Sequence, residues 1–228
     1  MSFRPRSLEA GLRVQLRTFP VVFVQGPRQC GKSTLVRHAL PDWTILDLER
    51  PADRALLEAD LEGFLTANTR HIVFDEAQRH PALFGALRHA VDAQPGRGRF
   101  VLLGSAGSAL MRGVSESLAG RVGLLELAPF SAAELPATRT ADRWFWGGFP
   151  PVHARRGPQA RGQWLDAYVT QFLERDLPAL GVHIQPQRLR TLWTMLTHVH
   201  GRNLNVSDLA RSLGVSSHTV NDHLDVLE

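Results

Sequence analysis

Lys32 is the one lysine among the 26 Lys and Arg residues of this 228-residue chain, and it stands in Gly26-Pro27-Arg28-Gln29-Cys30-Gly31-Lys32-Ser33. A sequence that uses arginine wherever positive charge suffices, and keeps lysine here, calls for a compact ammonium with three rotatable donors, not a planar guanidinium. The spacing is Gly-x-x-x-x-Gly-Lys-Ser/Thr, in which backbone N–H groups surround phosphates and the ammonium reaches between a β- and a γ-phosphate. Gly26 and Gly31 admit backbone conformations that a Cβ would block. Ser33 offers its hydroxyl to Mg²⁺, and Thr34 is a further candidate phosphate contact. Pro27, Arg28, Gln29 and Cys30 fill the loop between the glycines. Cys30 reads as a tolerated small residue, with its thiolate form favoured by the helix N-terminus that follows.

A second set of groups completes the chemistry. His71-Ile72-Val73-Phe74-Asp75-Glu76 is an apolar run ending in two adjacent carboxylates. Roughly forty residues after a phosphate loop, such a pair divides two tasks. Asp75 stays by the metal, and Glu76 takes the proton of a water that attacks the γ-phosphate. Binding of ATP and Mg²⁺ follows from the loop; hydrolysis is the added implication of Glu76.

Elements must hold these groups in place. Val21–Gln25 is a β-branched apolar run that ends at Gly26, and Ser33–Leu40 reads as the helix after the loop, an arrangement that aims a helix N-terminus at phosphate. Further strands are expected at Trp43–Leu48, Ile72–Asp75, Phe100–Gly104 and Val122–Leu127. Helices are expected at Pro51–Ala59, Pro81–Ala93, about Ser108–Ala119, about Gly162–Leu177 and Pro186–His200. Leu8, Leu12 and Leu16 give Arg6–Arg17 a helical stripe. Near-continuous apolar strands alternating with helices predict an α/β fold, a parallel five-stranded sheet with helices on both faces. Thr138–Arg161 breaks this pattern with Gly147-Gly148-Phe149-Pro150-Pro151 and the arginines Arg139, Arg143, Arg155, Arg156 and Arg161, and reads as the exit from the core.

Composition sets bounds. The 43% hydrophobic content suffices for one substantial core and a small second module. Apolar runs are too short to cross a membrane, Met1–Arg6 has no signal-peptide core, and one cysteine forms no intrachain disulfide; a cytoplasmic setting is expected. The net charge is +4 with ten histidines neutral, which does not announce a nucleic-acid binder. His198-x-His200 lacks Cys or carboxylate ligands at metal spacing and reads as a surface or interface pair.

Five motifs occur in order: Gly26–Leu35, Phe74-Asp75-Glu76-Ala77-Gln78, Gly104-Ser105, Ser117-Leu118-Ala119-Gly120-Arg121 and Gly147-Gly148-Phe149-Pro150. Together with Glu174-Arg175-Asp176 they resemble a prokaryotic group of AAA-type P-loop ATPases, in which the core is followed by helices, a winged-helix segment and a C-terminal domain of unknown function. The resemblance implies ATP and Mg²⁺ at the positions above. In such a sheet the fourth strand lies between the phosphate-loop strand and the Asp75 strand, so Ser105 either hydrogen-bonds the γ-phosphate or attacking water, or caps the helix after it. Arg121 stands where this type of ATPase places an arginine finger for a neighbouring subunit's nucleotide. A homo-oligomer is thereby implied, and a local structural role for Arg121 stays open. Chains of this group continue past Glu228, so the last segment is expected to be a truncated winged helix. The expected division is residues 1–150 as ATPase core, 151–200 as a helical linker and 201–228 as a helix-turn-helix.

In that last segment Ala210 suits a helix crossing, Gly214 a tight turn, and Leu209, Leu213, Val215, Val220 and Leu224 a buried face. Ser207 and Ser216 or Ser217 are candidate caps. Its two arginines face four acids, and its second helix, exposing Ser217, His218, Thr219, Asn221 and Asp222, carries no Lys or Arg. Phosphate contacts dominate non-specific affinity, so DNA is weakly supported as a partner, and packing is an equal alternative. The leading expectation is an Mg²⁺-dependent ATPase coupled to its C-terminal segments. A nucleotide-gated DNA-binding regulator and an interaction module that binds nucleotide structurally are the alternatives.

Overall fold

The computed structural model describes residues 3–105, 113–114, 116–179 and 184–227. The chain divides into two compact units, 1–161 and 162–228.

The first unit is built on a parallel sheet of β1 (Val21–Gln25), β2 (Thr44–Asp47), β3 (Ile72–Asp75), β4 (Phe100–Gly104) and β5 (Val122–Glu126), in the order β2-β3-β4-β1-β5. β4 therefore lies between β1 and β3, as expected. Gln25 is in register with both Gly104 and Glu126, and Asp47 with Asp75, so the strands deliver their last residues to one edge of the sheet. Successive side chains of a strand point to opposite faces. Val22, Val24, Val73, Val101 and Leu103 accordingly pack under α1 (Leu8–Thr18) and α2 (Lys32–Ala39). Val21, Phe23, Phe74, Phe100 and Leu102 face α3 (Pro51–Ala59), α4 (Leu61–Ala67) and α5 (Ala82–Ala93). Burial on both faces explains why the strands read as unbroken apolar runs.

α4 escapes sequence periodicity because it has seven residues, with Gly63 and Thr66 diluting its apolar face. What starts it is Asp60, whose carboxylate accepts from the Gly63 N–H at 2.8 Å. Of the helix expected about Ser108–Ala119, Ser108–Arg112 and Ser115 lie outside the described residues; Gly113, Val114, Glu116 and Ser117 are helical. The Thr138–Arg161 stretch, expected as the exit from the core, holds two short helices, α6 (Thr140–Trp146) and α7 (Pro150–Ala154). Between them, a Cβ on Gly148 would lie 2.4 Å from the Phe130 carbonyl, so only glycine admits this approach.

α8 (Pro158–Gln171) starts four residues before the expected point, led by Pro158 in its first turn, and passes into a π-helical segment at Phe172–Asp176. In the second unit α9 (Pro186–His198), α10 (Val206–Leu213) and α11 (Ser217–Leu227) share a core of Leu192, Leu209, Ala210 and Val220. Gly214, at φ 65°, turns α10 into α11. Ser216 caps α11, accepting from the Thr219 N–H at 3.0 Å. Ser207 does not cap α10: Asn205 does, accepting from the Asp208 N–H at 3.2 Å. Asn205 has the extended backbone a cap needs, whereas Ser207 already lies inside the first turn.

Candidate active site

β1 ends at Gln25, and the chain turns through Gly26 into the loop that opens α2. A Cβ on Gly26 would fall 2.2 Å from the Leu127 carbonyl oxygen, so the loop lies against the backbone beyond β5 in a way only glycine permits. Gly31 caps α2 at φ 104°, and Gln29 adopts φ 61°, both left-handed. Lys32 is buried, 5% exposed, and its Nζ donates to the Gly26 carbonyl at 2.8 Å and the Pro27 carbonyl at 3.1 Å. The ammonium is thus folded back over its own loop, the position from which it can exchange carbonyl oxygens for phosphate oxygens. Arg28 leaves the loop sideways, its Nη2 donating to Glu49 Oε1 at 2.7 Å.

Ser33 and Asp75, from the two sides of β4, meet: the hydroxyl hydrogen-bonds the carboxylate. Burial pushes the Asp75 carboxyl above its usual value, the Ser33 hydrogen bond opposes this, and nearby Asp47 adds to it. Glu76 also sits above its usual value because of burial, with the Lys32 charge and the Gln78 amide opposing. Its backbone is left-handed, φ 54°, an uncommon conformation for a residue with a Cβ, and Gln78 Nε2 donates to its Oε2. Asp75, Glu76, Lys32 and Ser33 therefore form one electrostatically coupled group.

Ser105 follows directly on Gly104, which is in register with Gln25, so it stands beside the loop. Its hydroxyl oxygen is buried without a hydrogen-bond partner among the described residues. A buried polar atom left unsatisfied is costly, and a phosphate oxygen or water would complete it. The helix it was alternatively expected to cap begins outside the described residues. Arg121 is not brought to the loop. Its carbonyl accepts from the Val21 N–H at the opening of β1, so a full strand of about 16 Å separates it from Gly26. Its guanidinium pairs with Asp92 at 2.6 and 2.9 Å. His198 and His200, in the second unit, are exposed.

Cys30 corrects one expectation. It is fully buried among Val22, Val24 and Leu35, and burial raises its thiol pKa despite the nearby Lys32 and Arg6 charges. Desolvation outweighs both cations and the helix N-terminus, so the thiol form is favoured.

Sequence reasoning missed Arg6. Buried on the N-terminal approach to α1, its Nη1 donates to the Cys30 carbonyl at 2.8 Å, its Nη2 to the Ala128 carbonyl and its Nε to Glu134 at 3.1 Å. Against burial, which acts the other way, the Ser131 and Ser7 N–H groups and the Arg6 guanidinium hold Glu134 below the usual carboxylate range. One arginine so ties the phosphate loop to the segment after β5. Arg6→Ala leaves Glu134 buried without its cation and is expected to lower unfolding free energy by about 3 kcal/mol. Because the folded-state pKa of Glu134 is depressed, that contribution is present above the unfolded value and disappears as pH falls through the folded one. The gap between urea titrations of the two proteins should therefore narrow at acid pH, leaving the part due to the Cys30 and Ala128 carbonyls; a constant gap would remove the ion pair as the cause.

Beside the loop lies a mostly apolar cavity of about 260 Å³. Phe3, Thr34, Leu35, Phe130, Pro150 and Pro151 line it. The Gly147-Gly148-Phe149-Pro150 motif, fastened by the 2.7 Å hydrogen bond from the Phe130 N–H to the Gly148 carbonyl, brings the two prolines there.

Comparison with known proteins agrees with this geometry. Residues 18–136 match a family described as an AAA domain, and residues 137–228 match a domain of unknown function, DUF8612. "Uncharacterized protein Rv2008c" of Mycobacterium tuberculosis and "Uncharacterized protein Mb2031c" of Mycobacterium bovis are each 42% identical over 230 residues, covering 100% of this chain and 52% of the relative. The chain spans about half the length of these curated relatives. Among solved structures, the Walker-type ATPase PABY2304 of Pyrococcus abyssi superposes with a TM-score of 0.58 at 17% identity, over 98% of this chain and 89% of that one, and so shares its fold. The AAA-domain match covers more than half of the chain and agrees with the β2-β3-β4-β1-β5 sheet and its phosphate loop: the chain belongs to the AAA domain family.

Proposed function

We propose that this protein binds ATP with Mg²⁺ at Gly26–Thr34 and hydrolyses it by water attack on the γ-phosphate. The observation that carries the reading is the coupled group of Lys32, Ser33, Asp75 and Glu76 at the carboxyl edge of the sheet. The donor set suits Mg²⁺: one hydroxyl and one carboxylate are what this ion takes from protein when phosphates and water supply the rest. When bound, the metal neutralises charge on the phosphates. Asp75, held above its usual pKa by burial despite Ser33, the Glu76 N–H and Lys32, has a charge only partly compensated, which such an ion answers.

The chain's own residues then have distinct tasks. Lys32 releases the Gly26 and Pro27 carbonyls to hold the β- and γ-phosphates, while the loop N–H groups from Pro27 to Thr34, proline excepted, surround them. Ser105 presents its free hydroxyl to the γ-phosphate or the water. Glu76 accepts the water's proton, and its raised pKa makes it a stronger base than an exposed glutamate. The apolar cavity of Phe130, Pro150 and Pro151 receives the base, with Thr34 and Leu35 as its floor. Residues 1–150 act as the ATPase core, 151–200 as the linker that responds to nucleotide, and 201–228 as a helix-turn-helix that belongs to a winged helix. A cytoplasmic setting supplies the ATP. Among the described residues no helix is long and apolar enough to cross a membrane.

Steady-state phosphate release tests the reading. Turnover should require Mg²⁺ and stop on chelation with EDTA; metal-independent turnover would sink the Asp75–Ser33 assignment. The acid limb of the rate profile should lie above the ordinary glutamate value, because burial raises Glu76. Gln78 stabilises the charged form, so Gln78→Ala should move that limb to still higher pH. An unmoved limb in this variant would separate Glu76 from the rate-limiting proton transfer.

A further inference from the structure

A second cavity, of about 570 Å³, is lined mostly by arginines, Arg4, Arg139, Arg155, Arg156 and Arg161, with His153 beside them. Asp142 accepts from Arg161 Nη1 at 3.1 Å and Nη2 at 3.4 Å and also feels the Arg139 charge. Arg155 donates to the Pro151 carbonyl at 2.7 Å, a neutral acceptor. Two polar atoms here are buried without partners among the described residues: Arg139 Nη1 and His153 Nδ1. His153 is 5% exposed, and its other nitrogen is fixed on the Gly147 carbonyl at 2.8 Å. Since a carbonyl accepts, His153 Nε2 carries the proton and Nδ1 is an acceptor in the neutral ring, so Arg139 Nη1 is the unused buried donor among these converging guanidinium groups. Together they form a site for phosphate, which arginine grips with two parallel hydrogen bonds.

The helix between Arg139 and His153 says what carries the phosphates. In α6, Trp144 is 89% exposed and Phe145 74% exposed, next to Asp142 and Arg143. Phe145 packs edge-on against Trp146 at 4.8 Å between centroids, and the Arg161 guanidinium of the arginine cavity lies over the Trp146 ring at 5.7 Å, while Trp144 borders a neighbouring cavity with Pro136 and Arg143. Large aromatic rings held out in water are unusual. Exposed aromatic faces beside a basic groove are the means by which proteins hold unpaired bases, each stacked base contributing about 1–3 kcal/mol. Duplex bases, already stacked on one another, offer no face to Trp144 or Phe145.

We propose that the first unit binds single-stranded nucleic acid, its phosphates in the Arg139–Arg156–Arg161 cavity and its bases on Trp144 and Phe145. Arg4 and Ala154 are walls of both this cavity and the apolar one beside the phosphate loop, whereas α11 in the second unit carries no arginine or lysine.

Fluorescence anisotropy of labelled oligothymidylate, roughly 12 nucleotides long, with the full chain, tests it. Binding should weaken steeply as salt rises. The double variant Arg139→Ala, Arg156→Ala should reduce the log–log salt slope by about 1.4, the value for two lost phosphate contacts on a single strand. Trp144→Ala should weaken binding about tenfold while leaving that slope unchanged. Both rings are exposed, so melting temperature should not move and loss of fold is a separate, visible result; Phe145→Ala then gives the same test from the neighbouring ring. Inorganic polyphosphate, duplex DNA and polyglutamate serve as competitors. Affinity unchanged in both the arginine and the Trp144 variants would overturn the proposal. So would polyglutamate competing as well as oligothymidylate, which makes the partner an acidic peptide. Polyphosphate binding with no effect of Trp144→Ala and Phe145→Ala would reduce the site to free phosphate and overturn it equally.

Discussion

Lys32→Ala is expected to weaken ATP binding by at least about a hundredfold, because the ammonium would give up two charge-assisted hydrogen bonds of about 1.5–3 kcal/mol each. Lys32→Arg should impair binding as well. In the fold the ammonium occupies a pocket 5% exposed, against the Gly26 and Pro27 carbonyls, with Asp75 and Glu76 close enough to feel its charge. A guanidinium is planar and wider, and its fixed fork cannot turn between those two carbonyls and a pair of phosphates. The two variants also differ in a way that loss of fold would not reproduce. Alanine removes a positive charge that opposes the upward pull of burial on Glu76, so protonation of Glu76 should extend to higher pH; arginine retains the charge. Calorimetric titration with ATP and Mg²⁺ checks the binding step. Wild-type affinity in both variants would remove the phosphate loop from the mechanism.

The sheet was legible because its strands are buried on both faces. Val21–Gln25, Ile72–Asp75 and Phe100–Gly104 lie where the apolar runs predict, and the outer strands lose one or two residues from their expected ends. Edge strands have fewer partners, so their ends are set by loops that the apolar pattern does not report. Of the order β2-β3-β4-β1-β5, only the place of β4 between β1 and β3 came from the resemblance, since periodicity names strands but not their neighbours. α4, α6 and α7 are too short to show a helical period. They form because Asp60 caps one, Pro150 and Pro151 lead another, and tertiary contacts hold them.

The same division runs through the site. Lys32, Ser33, Asp75 and Glu76 were readable because each local motif fixes its own strand end, and the sheet register then brings the ends together. Arg6 was not readable. Its acceptors at Cys30, Ala128 and Glu134 are up to 128 residues away, and nothing in its immediate sequence marks it among so many arginines. Arg139, Arg155, Arg156 and Arg161 were visible as a cluster in sequence, yet not as the wall of one cavity. That required α6 and α7, with Gly147 and Gly148, to fold the stretch back on itself. Cys30 failed for a complementary reason: proximity to a helix N-terminus is visible in sequence, whereas the burial that overrides it is not.

Glu76→Gln and Arg121→Ala should each cut turnover sharply, by about 10²–10⁴-fold for a lost general base and about 10³-fold or more for a lost arginine finger. Both should leave ATP affinity nearly intact. The strand that separates Arg121 from Gly26, about 16 Å, exceeds the reach of an arginine side chain, so Arg121 cannot serve its own loop. It either completes a neighbouring subunit's site or is simply the partner of Asp92. An exposed pair of this kind is readily exchanged for a phosphate across an interface. If Arg121 acts on a neighbour, parent activity should rise faster than linearly with protein concentration. A mixture of the two variants should then regain activity, because some interfaces join an intact Glu76 to an intact Arg121. Asp92→Ala distinguishes the remaining case. A finger freed from Asp92 keeps turnover, whereas a purely local role predicts that Asp92→Ala reproduces the Arg121→Ala defect. Linear concentration dependence, no recovery on mixing and a defective Asp92→Ala variant would together confine Arg121 to its salt bridge and exclude the composite site.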